Sequence, residues 1–421
     1  AYITIFGAVV GAFFTGTIMP DDTYAGLSGE ALFSILVGIG SIILMVVMPI
    51  LGAMADYADS KKRYLRNFAF VGAFFALVIP FVPDGMVWPF LIVVVISQFG
   101  FVAANVFYDG FLPEIATDDT IDHVSSRGFA LGYLGGGIYL VFALVLITLS
   151  SDDPDAFLTE ALAARIAIFG SGIWWFAFSL FSLARLPDDP DTGTTLGLSS
   201  YARTGFDRTI ATTRKLRQFP QLSLFVLAFI IYNSGTGTVI AVSGPYAEDT
   251  LGLGLTTIGL AFLLVQFIAY FGAMGFARLS NRIGPRTVLL VAMPLAILGF
   301  IGAAFLGPGQ GTAFAVICIV SGAALGADMV VLPAMFSIAL TRSGLNASAA
   351  FGIWSFAGKL GLAMAAFLVL PALQVSGFVP GQENSASALQ ALTMAYAIIP
   401  CLLKLVAMAF VLALPTEEAI E

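Results

Sequence analysis

The chain has 421 residues, of which 59% are hydrophobic and only 10% charged, with a mean hydropathy of +0.97. Soluble domains carry about 25% charged residues, so composition excludes an ordinary soluble fold and calls for an apolar solvent, the bilayer. The net charge is −8, with one histidine (His123) and two cysteines (Cys318 and Cys401, both inside apolar runs); these exclude a disulfide framework, a cysteine-ligated metal and a zinc site built of histidines.

A membrane-spanning helix needs about 20 apolar residues, and the chain offers twelve such runs in order. No cleavable signal pattern opens the sequence. The first run, roughly 1–19, already includes Ala1, so a few cytosolic residues are expected before it. The second, 31–55, leads into the polar stretch Gly52-Ala-Met-Ala-Asp56-Tyr-Ala-Asp59-Ser-Lys61-Lys62-Arg63. Runs three and four cover 67–83 and 87–108, and the fourth ends on Asn105, Tyr108 and Asp109. Asp109 reads either as a gating or coupling carboxylate or as a solvated acid at a helix end. Run five, 128–150, carries glycines over 132–137 at a small-xxx-small spacing that helix packing alone accounts for. Run six, 161–184, holds Arg165 near its outer end, placed to snorkel or to pair with Glu160.

A polar segment, about 185–220, then divides the chain into an N-terminal bundle (1–184) and a C-terminal bundle (221–421). Run seven, 221–244, contains Tyr232-Asn233-Ser-Gly-Thr236-Gly-Thr238. Two glycines among hydroxyls and an amide weaken a helix, and broken helices present ligand-binding groups at membrane depth. Close helix packing at the glycines is the alternative. Run eight, 256–277, is followed by Ala277-Arg-Leu-Ser-Asn281-Arg282-Ile-Gly284-Pro-Arg286. Runs nine to twelve cover 287–306, 312–338, 348–373 and 388–414, and the last three place Asp328, Lys359 and Lys404 within the membrane.

Intramembrane charges are default functional candidates because each costs about 2.5–3.5 kcal/mol at the bilayer centre. Lys359 lies about 16 Å from the cytosolic end of its helix at 1.5 Å per residue, too deep to snorkel, and Asp328 lies at similar depth. The expectation is that the two pair in one state, and that a substrate carboxylate or a proton competes for the pair. Lys404 shares that depth on the last helix and reads as structural.

Charge placement sets the sidedness. With residues before run one in the cytosol, cytosolic loops hold fifteen of the 18 Lys and Arg residues, all but Arg165, Lys359 and Lys404. The opposite loops hold only acids, among them Asp84, Asp153 and Glu248. Both termini are then cytosolic in a multi-pass protein of a prokaryotic plasma (inner) membrane. The sequon Asn346-Ala347-Ser348 falls on the cytosolic side and should be unused.

The loops after runs two and eight are copies of one pattern: a small residue (Gly52, Ala277), four positions later Asp56 or Asn281, then basic residues including Lys61 and Arg63. The small residue lets helices approach, the acid can accept from a neighbouring helix N-terminus, and the bases hold the anionic face of the membrane. The pattern resembles the signature loop of the major facilitator superfamily. That resemblance implies an all-α membrane protein of twelve helices in two pseudo-symmetric six-helix bundles, with substrate bound between them near the midplane.

Pro49-Ile-Leu-Gly-Ala-Met-Ala-Asp56, Asn105-Val-Phe-Tyr-Asp-Gly-Phe-Leu-Pro-Glu114 and Ser126-Arg-Gly-Phe-Ala-Leu-Gly-Tyr-Leu-Gly-Gly136 resemble the autophagy-related vacuolar amino-acid effluxers and their bacterial relatives, as do Pro220-Gln-Leu222 and Leu263-Leu-Val-Gln-Phe267. Ala327-Asp328 and Phe351-Gly-Ile-Trp-Ser-Phe-Ala-Gly-Lys359-Leu-Gly361 resemble the glycoside–pentoside–hexuronide:cation symporters, although that group's paired acids on the second span would fall near Leu44 and Met48 here.

These features point to a secondary transporter that moves a small polar solute by alternating access, with efflux of a neutral amino acid the leading reading. Substrate-binding candidates are Lys359, Asp328, Asn233, Tyr232, Thr236, Asn105 and Tyr108; coupling or gating candidates are Asp109, Asp56, Lys61 and Arg63. The alternatives are a cation-coupled symporter of sugars or lysolipid-like amphiphiles, and a non-transporting receptor or scaffold. No enzyme motif, cofactor or nucleic-acid-binding pattern is present. Besides its solute and the lipid bilayer, the expected partner is a proton or sodium ion, and a monomer is expected.

Overall fold

The structure is a computed structural model and describes residues 2–19, 29–57, 60–117, 120–151, 153, 155–189, 203–204, 206–207, 210–211, 213–215, 218–343, 347–378 and 384–413. Among these the long elements are all helices, twelve in number: α1 (2–18), α2 (Gly29–Tyr57), α3 (Lys61–Phe81), α4 (Val87–Asp109), α5 (Ile121–Leu149), α6 (Glu160–Leu183), α7 (Pro220–Thr250), α8 (Leu255–Ile283), α9 (Pro285–Ala303), α10 (Gly311–Ser343), α11 (Ala347–Val375) and α12 (Ala386–Ala413). Nine of them, all but α1, α2 and α11, are long and apolar enough among the described residues to cross a membrane, and Ile35–Leu44 of α2 is a shorter apolar stretch. Large apolar side chains stay exposed along many of them, including Phe81, Leu131, Phe271 and Leu298. Such a surface suits acyl chains rather than water.

The helix ends follow local chemistry. Thr159 and Ser385 cap α6 and α12 by accepting from the backbone N–H of Leu162 and Ala388. Gly284 separates α8 from α9 with φ +80°, a conformation L side chains rarely adopt, and Pro285 starts the next helix. Helix α3 begins at Lys61, six residues before the predicted span. Hydropathy marks only where a helix enters lipid, whereas the basic turn before it is already helical.

By contacts the chain forms two compact units. One comprises Ala1–Phe111, Gly135–Ile210 and Ser348–Gly352; the other comprises Leu112–Leu134, Ala211–Ala347 and Ile353–Glu421. In the first, α3 and α4 meet backbone to backbone: a Cβ on Gly100 would fall 2.5 Å from the Gly72 Cα, and the Trp175 ring covers Gly72. Buried Tyr2 accepts from the Ser97 hydroxyl at 2.8 Å and packs on Trp175 and Phe101. Arg165 pairs with Asp84 at 2.5 Å and donates to the carbonyls of Pro80 and Val82. Sequence offered snorkelling or Glu160 for Arg165, and Asp84 is a partner it did not name. The partner is an acid in the α3–α4 turn, which the fold brings beside α6.

In the second unit, α8 packs along α10 through small residues. A Cβ on Gly272 would lie 2.6 Å from the Ala323 carbonyl oxygen, and one on Gly326 would collide with the Ala269 carbonyl oxygen. Ala277, the small residue of the second loop copy, is buried with Ala273 and Ala130. Gly132, in contrast, has open space where a Cβ would sit, so packing does not account for the first glycine of the 132–137 run.

Candidate functional site

Close approach of helices places the charged groups of the second unit. Gly235 on α7 leaves room for α12: a Cβ there would lie 3.4 Å from the Pro400 carbonyl oxygen and the Leu403 Cβ. One turn further along α12, Lys404 points onto the α7 face that carries Tyr232 and Thr236, which are four residues apart and so stacked on one side of the helix. The Lys404 Nζ donates to Thr236 Oγ1 at 3.3 Å and sits 3.5 Å from the Tyr232 ring centroid. Its third neighbour is Asp328 on α10, whose Oδ2 is 3.9 Å away. Asp328 and Lys404 are each only 2% exposed.

A buried carboxylate and a buried ammonium each carry a desolvation penalty of several kcal/mol, which their mutual attraction offsets only if the remaining polar atoms are hydrogen-bonded. That condition is half met. Lys404 has a hydroxyl, a π face and a carboxylate. Asp328 Oδ1 and Tyr232 Oη are buried without a hydrogen-bond partner. A cavity of about 150 Å³ adjoins the pair and is lined mainly by apolar side chains, including Phe262, Val265, Phe300, Phe314 and Leu325, with Thr236, Ser243, Ser321, Asp328 and Lys404 supplying polar atoms. The site thus offers one positive and one negative group at a mostly apolar hollow.

Of the residues expected from sequence, Asp328, Tyr232 and Thr236 meet here. Lys359 does not join them: it is half-buried on α11 and has no hydrogen-bond or ion-pair partner among the described residues. The expected Asp328–Lys359 pair is absent from this structure, and Lys404, read as structural, takes the carboxylate instead. Asn233 faces away from Lys404; its amide donates to the Gly358 carbonyl at 2.5 Å and ties α7 to α11. The contact is tight, since a Cβ on Gly361 would fall 3.0 Å from the Asn233 Cβ.

Asn105 and Tyr108 lie in the first unit and line a separate hollow of about 160 Å³ with Leu65, Trp175 and Ser179. Asp109, beside Tyr108, is half-buried at the end of α4. Lys61 donates to the Gly110 carbonyl at 3.2 Å and lies 5.5 Å from the Phe111 ring centroid. The side chain of Asp56, and Asp59 altogether, fall outside the described residues.

An acid from beyond α6 sits at the start of α3. Asp189, beyond α6, accepts from the backbone N–H groups of Lys62 (2.7 Å) and Arg63 (2.9 Å), free donors of the first turn of α3. Asp188 accepts from Lys62 Nζ at 2.7 Å. That hydrogen bond, and then the Lys62 charge, hold the Asp188 carboxyl below its ordinary range. Neither acid stands out in the sequence, where both read as part of a solvated linker.

Comparison with known proteins follows this geometry. The profile described as "Vacuole effluxer Atg22 like" matches residues 27–367, most of the chain. The chain belongs to the Atg22-like family. Among relatives, the MFS-type transporter YxiO of Bacillus subtilis is 25% identical over 383 residues, 90% of this chain and 86% of that protein. Autophagy-related protein 22-1 of Aspergillus niger is 26% identical over 197 residues, 43% of this chain and only 30% of its own length. The Atg22-like chain also shares its fold with solved transporters. It is similar to the major facilitator superfamily transporter FucP in the outward conformation (TM-score 0.63, 15% identity, 99% of this chain and 97% of that one). It is likewise similar to the proton:xylose symporter XylE (TM-score 0.67, 15% identity, 98% and 93%). This Atg22-like protein is therefore a multi-pass transporter of the major facilitator fold, and not an enzyme.

Proposed function

We propose that the protein moves a small polar solute across the membrane by alternating access, and that the solute is a neutral amino acid moved by efflux. The observation that carries this reading is the buried Asp328–Lys404 pair at a mostly apolar hollow. A neutral amino acid brings a carboxylate for Lys404, an ammonium for the unpartnered Asp328 Oδ1, and a body that suits apolar walls. The family description, a vacuole effluxer, is the support for efflux, which for a vacuole is release into the cytosol. Lys359 on α11, without a partner among the described residues, and Asn233 and Tyr232 on α7 are proposed to contact the solute in other steps of the cycle. Asn105, Tyr108, Asp109, Asp56, Lys61 and Arg63 are proposed to gate or couple it.

The test is a thermal-shift screen of purified protein against neutral amino acids, sugars and lysolipids. A ligand bound only by the folded state at about 100 times its Kd stabilises it by about 2.7 kcal/mol. We expect the melting temperature to rise with a neutral amino acid. The apolar lining favours one second reading, a lysolipid-like amphiphile, and a rise with lysolipids alone would replace the first reading with it.

The one-sided distribution of Lys and Arg supports both termini in the cytosol, and the acidic outer loops support a prokaryotic plasma membrane. A reporter fused after the last residue, active only outside the cytosol, should stay silent; activity there would overturn the sidedness.

A further inference from the structure

We propose that the first unit holds a phospholipid whose head carries one negative charge, at the basic end of α3 and α6. The site shares no residue with the Asp328–Lys404 hollow. Two hollows meet there. One is polar, about 290 Å³ in volume, and is lined by Lys62, Arg63, Arg66, Asp188 and Asp189 together with Leu183. The other is the mostly apolar hollow of about 160 Å³ that holds Asn105 and Tyr108, and Leu183 lines it as well. A polar and an apolar space with a wall in common suit one molecule with a polar head and an apolar body.

Charge selects the head. Three cations and two carboxylates line the polar hollow, which leaves one positive charge in excess. Both carboxylates are engaged: Asp188 accepts from Lys62 Nζ, and Asp189 from the N–H groups of Lys62 and Arg63. Lys62 is engaged too, and its Nζ also donates to the Leu186 carbonyl at 2.8 Å. The guanidinium groups of Arg63 and Arg66 are exposed and make no hydrogen bond or ion pair among the described residues. A guanidinium offers a planar fork of donors that matches a phosphate. A phosphodiester with no ammonium of its own brings the single negative charge that balances the hollow. A zwitterionic head would bring a further cation beside the two free ones.

Depth selects the body. Trp175 lies eight residues before Leu183 on α6, about 12 Å further into the membrane at 1.5 Å per residue. The apolar hollow therefore runs from the level of the head toward the acyl chains. Asn105, Tyr108 and Ser179 line it and make no side-chain hydrogen bond among the described residues; each can donate to an ester oxygen of the glycerol. Phe178, Leu180 and Phe181 are exposed on the same stretch of α6, a surface along which acyl chains continue.

Photo-labelling of the full-length protein tests the site. Phosphatidylcholine liposomes carry a trace of phosphatidylglycerol, or of phosphatidylcholine, with a diazirine in the acyl chain close to the glycerol, and labelled peptides are mapped. We expect the phosphatidylglycerol probe alone to label residues 65–69 and 175–183, in competition with unlabelled phosphatidylglycerol and not with inorganic phosphate. Arg66→Gln removes one free cation from an exposed position and should lower the labelling about fivefold. Ser179→Phe fills the apolar hollow and should abolish it. Arg282→Gln, at the end of α8 in the second unit, should leave it unchanged. Equal labelling by the two probes would reveal ordinary boundary lipid and overturn the proposal. Competition by inorganic phosphate, or equal losses in Arg66→Gln and Arg282→Gln, would overturn it as well.

Discussion

The ammonium of Lys404 is held by side chains from two other helices, and no single partner would suffice. Thr236 gives one hydrogen bond, Tyr232 a ring face, and Asp328 a charge just out of hydrogen-bond range. Breaking a buried pair by removing one member typically costs about 3–5 kcal/mol, whereas replacing both with uncharged groups is often neutral. The same reasoning gives a smaller effect at the Asp188–Lys62 contact, which is exposed on the acid's side. The Asp188 carboxyl is lowered in the folded state, so its contribution is present above the ordinary carboxylate pKa and is lost as pH falls through the lowered value. We expect amide hydrogen exchange at Lys62 and Arg63 to lose protection in Asp189→Ala, which removes the acceptor of both N–H groups. Protection that persists in that variant would show that the start of α3 is held some other way.

At the scale of elements, much was legible and some was not. Runs of apolar residues located the spans because hydropathy is a local property of the chain. Helix starts were less visible: Lys61 to Arg63 are polar yet helical, since an acceptor from beyond α6 satisfies free N–H groups there. The partner of Asp328 could not be read at all. Lys359 and Lys404 lie at similar depth, and the choice between them depends on α7 and α12 meeting at Gly235, a contact between residues far apart in sequence. Glycine spacing was equally ambiguous. Gly326 and Gly132 both sit in small-residue patterns, but only Gly326 has a neighbouring backbone against it. Gly326→Ala should therefore destabilise the protein by about 1–3 kcal/mol through overpacking. Gly132→Ala should be neutral or stabilise by up to about 1 kcal/mol through helix propensity. Denaturant melts in the same detergent compare the two, and equal effects would contradict the packing described for α8 and α10.

For the whole molecule, the sequence supported twelve spans, one-sided basic loops and two copies of a signature loop. The family and fold comparisons agree on a transporter. What the chemistry adds is a proposed place for the work: a carboxylate and an ammonium on α10 and α12, set at a hollow within the second unit. The most direct test is uptake of a labelled neutral amino acid into proteoliposomes by wild type and by the Asp328→Asn/Lys404→Met double variant. Removing both charges leaves no unpaired ion, so the double variant should melt close to the wild type while each single change melts lower. The account predicts that the double variant is folded and that its transport falls to the level of empty liposomes. A folded double variant that transports at the wild-type rate would contradict it.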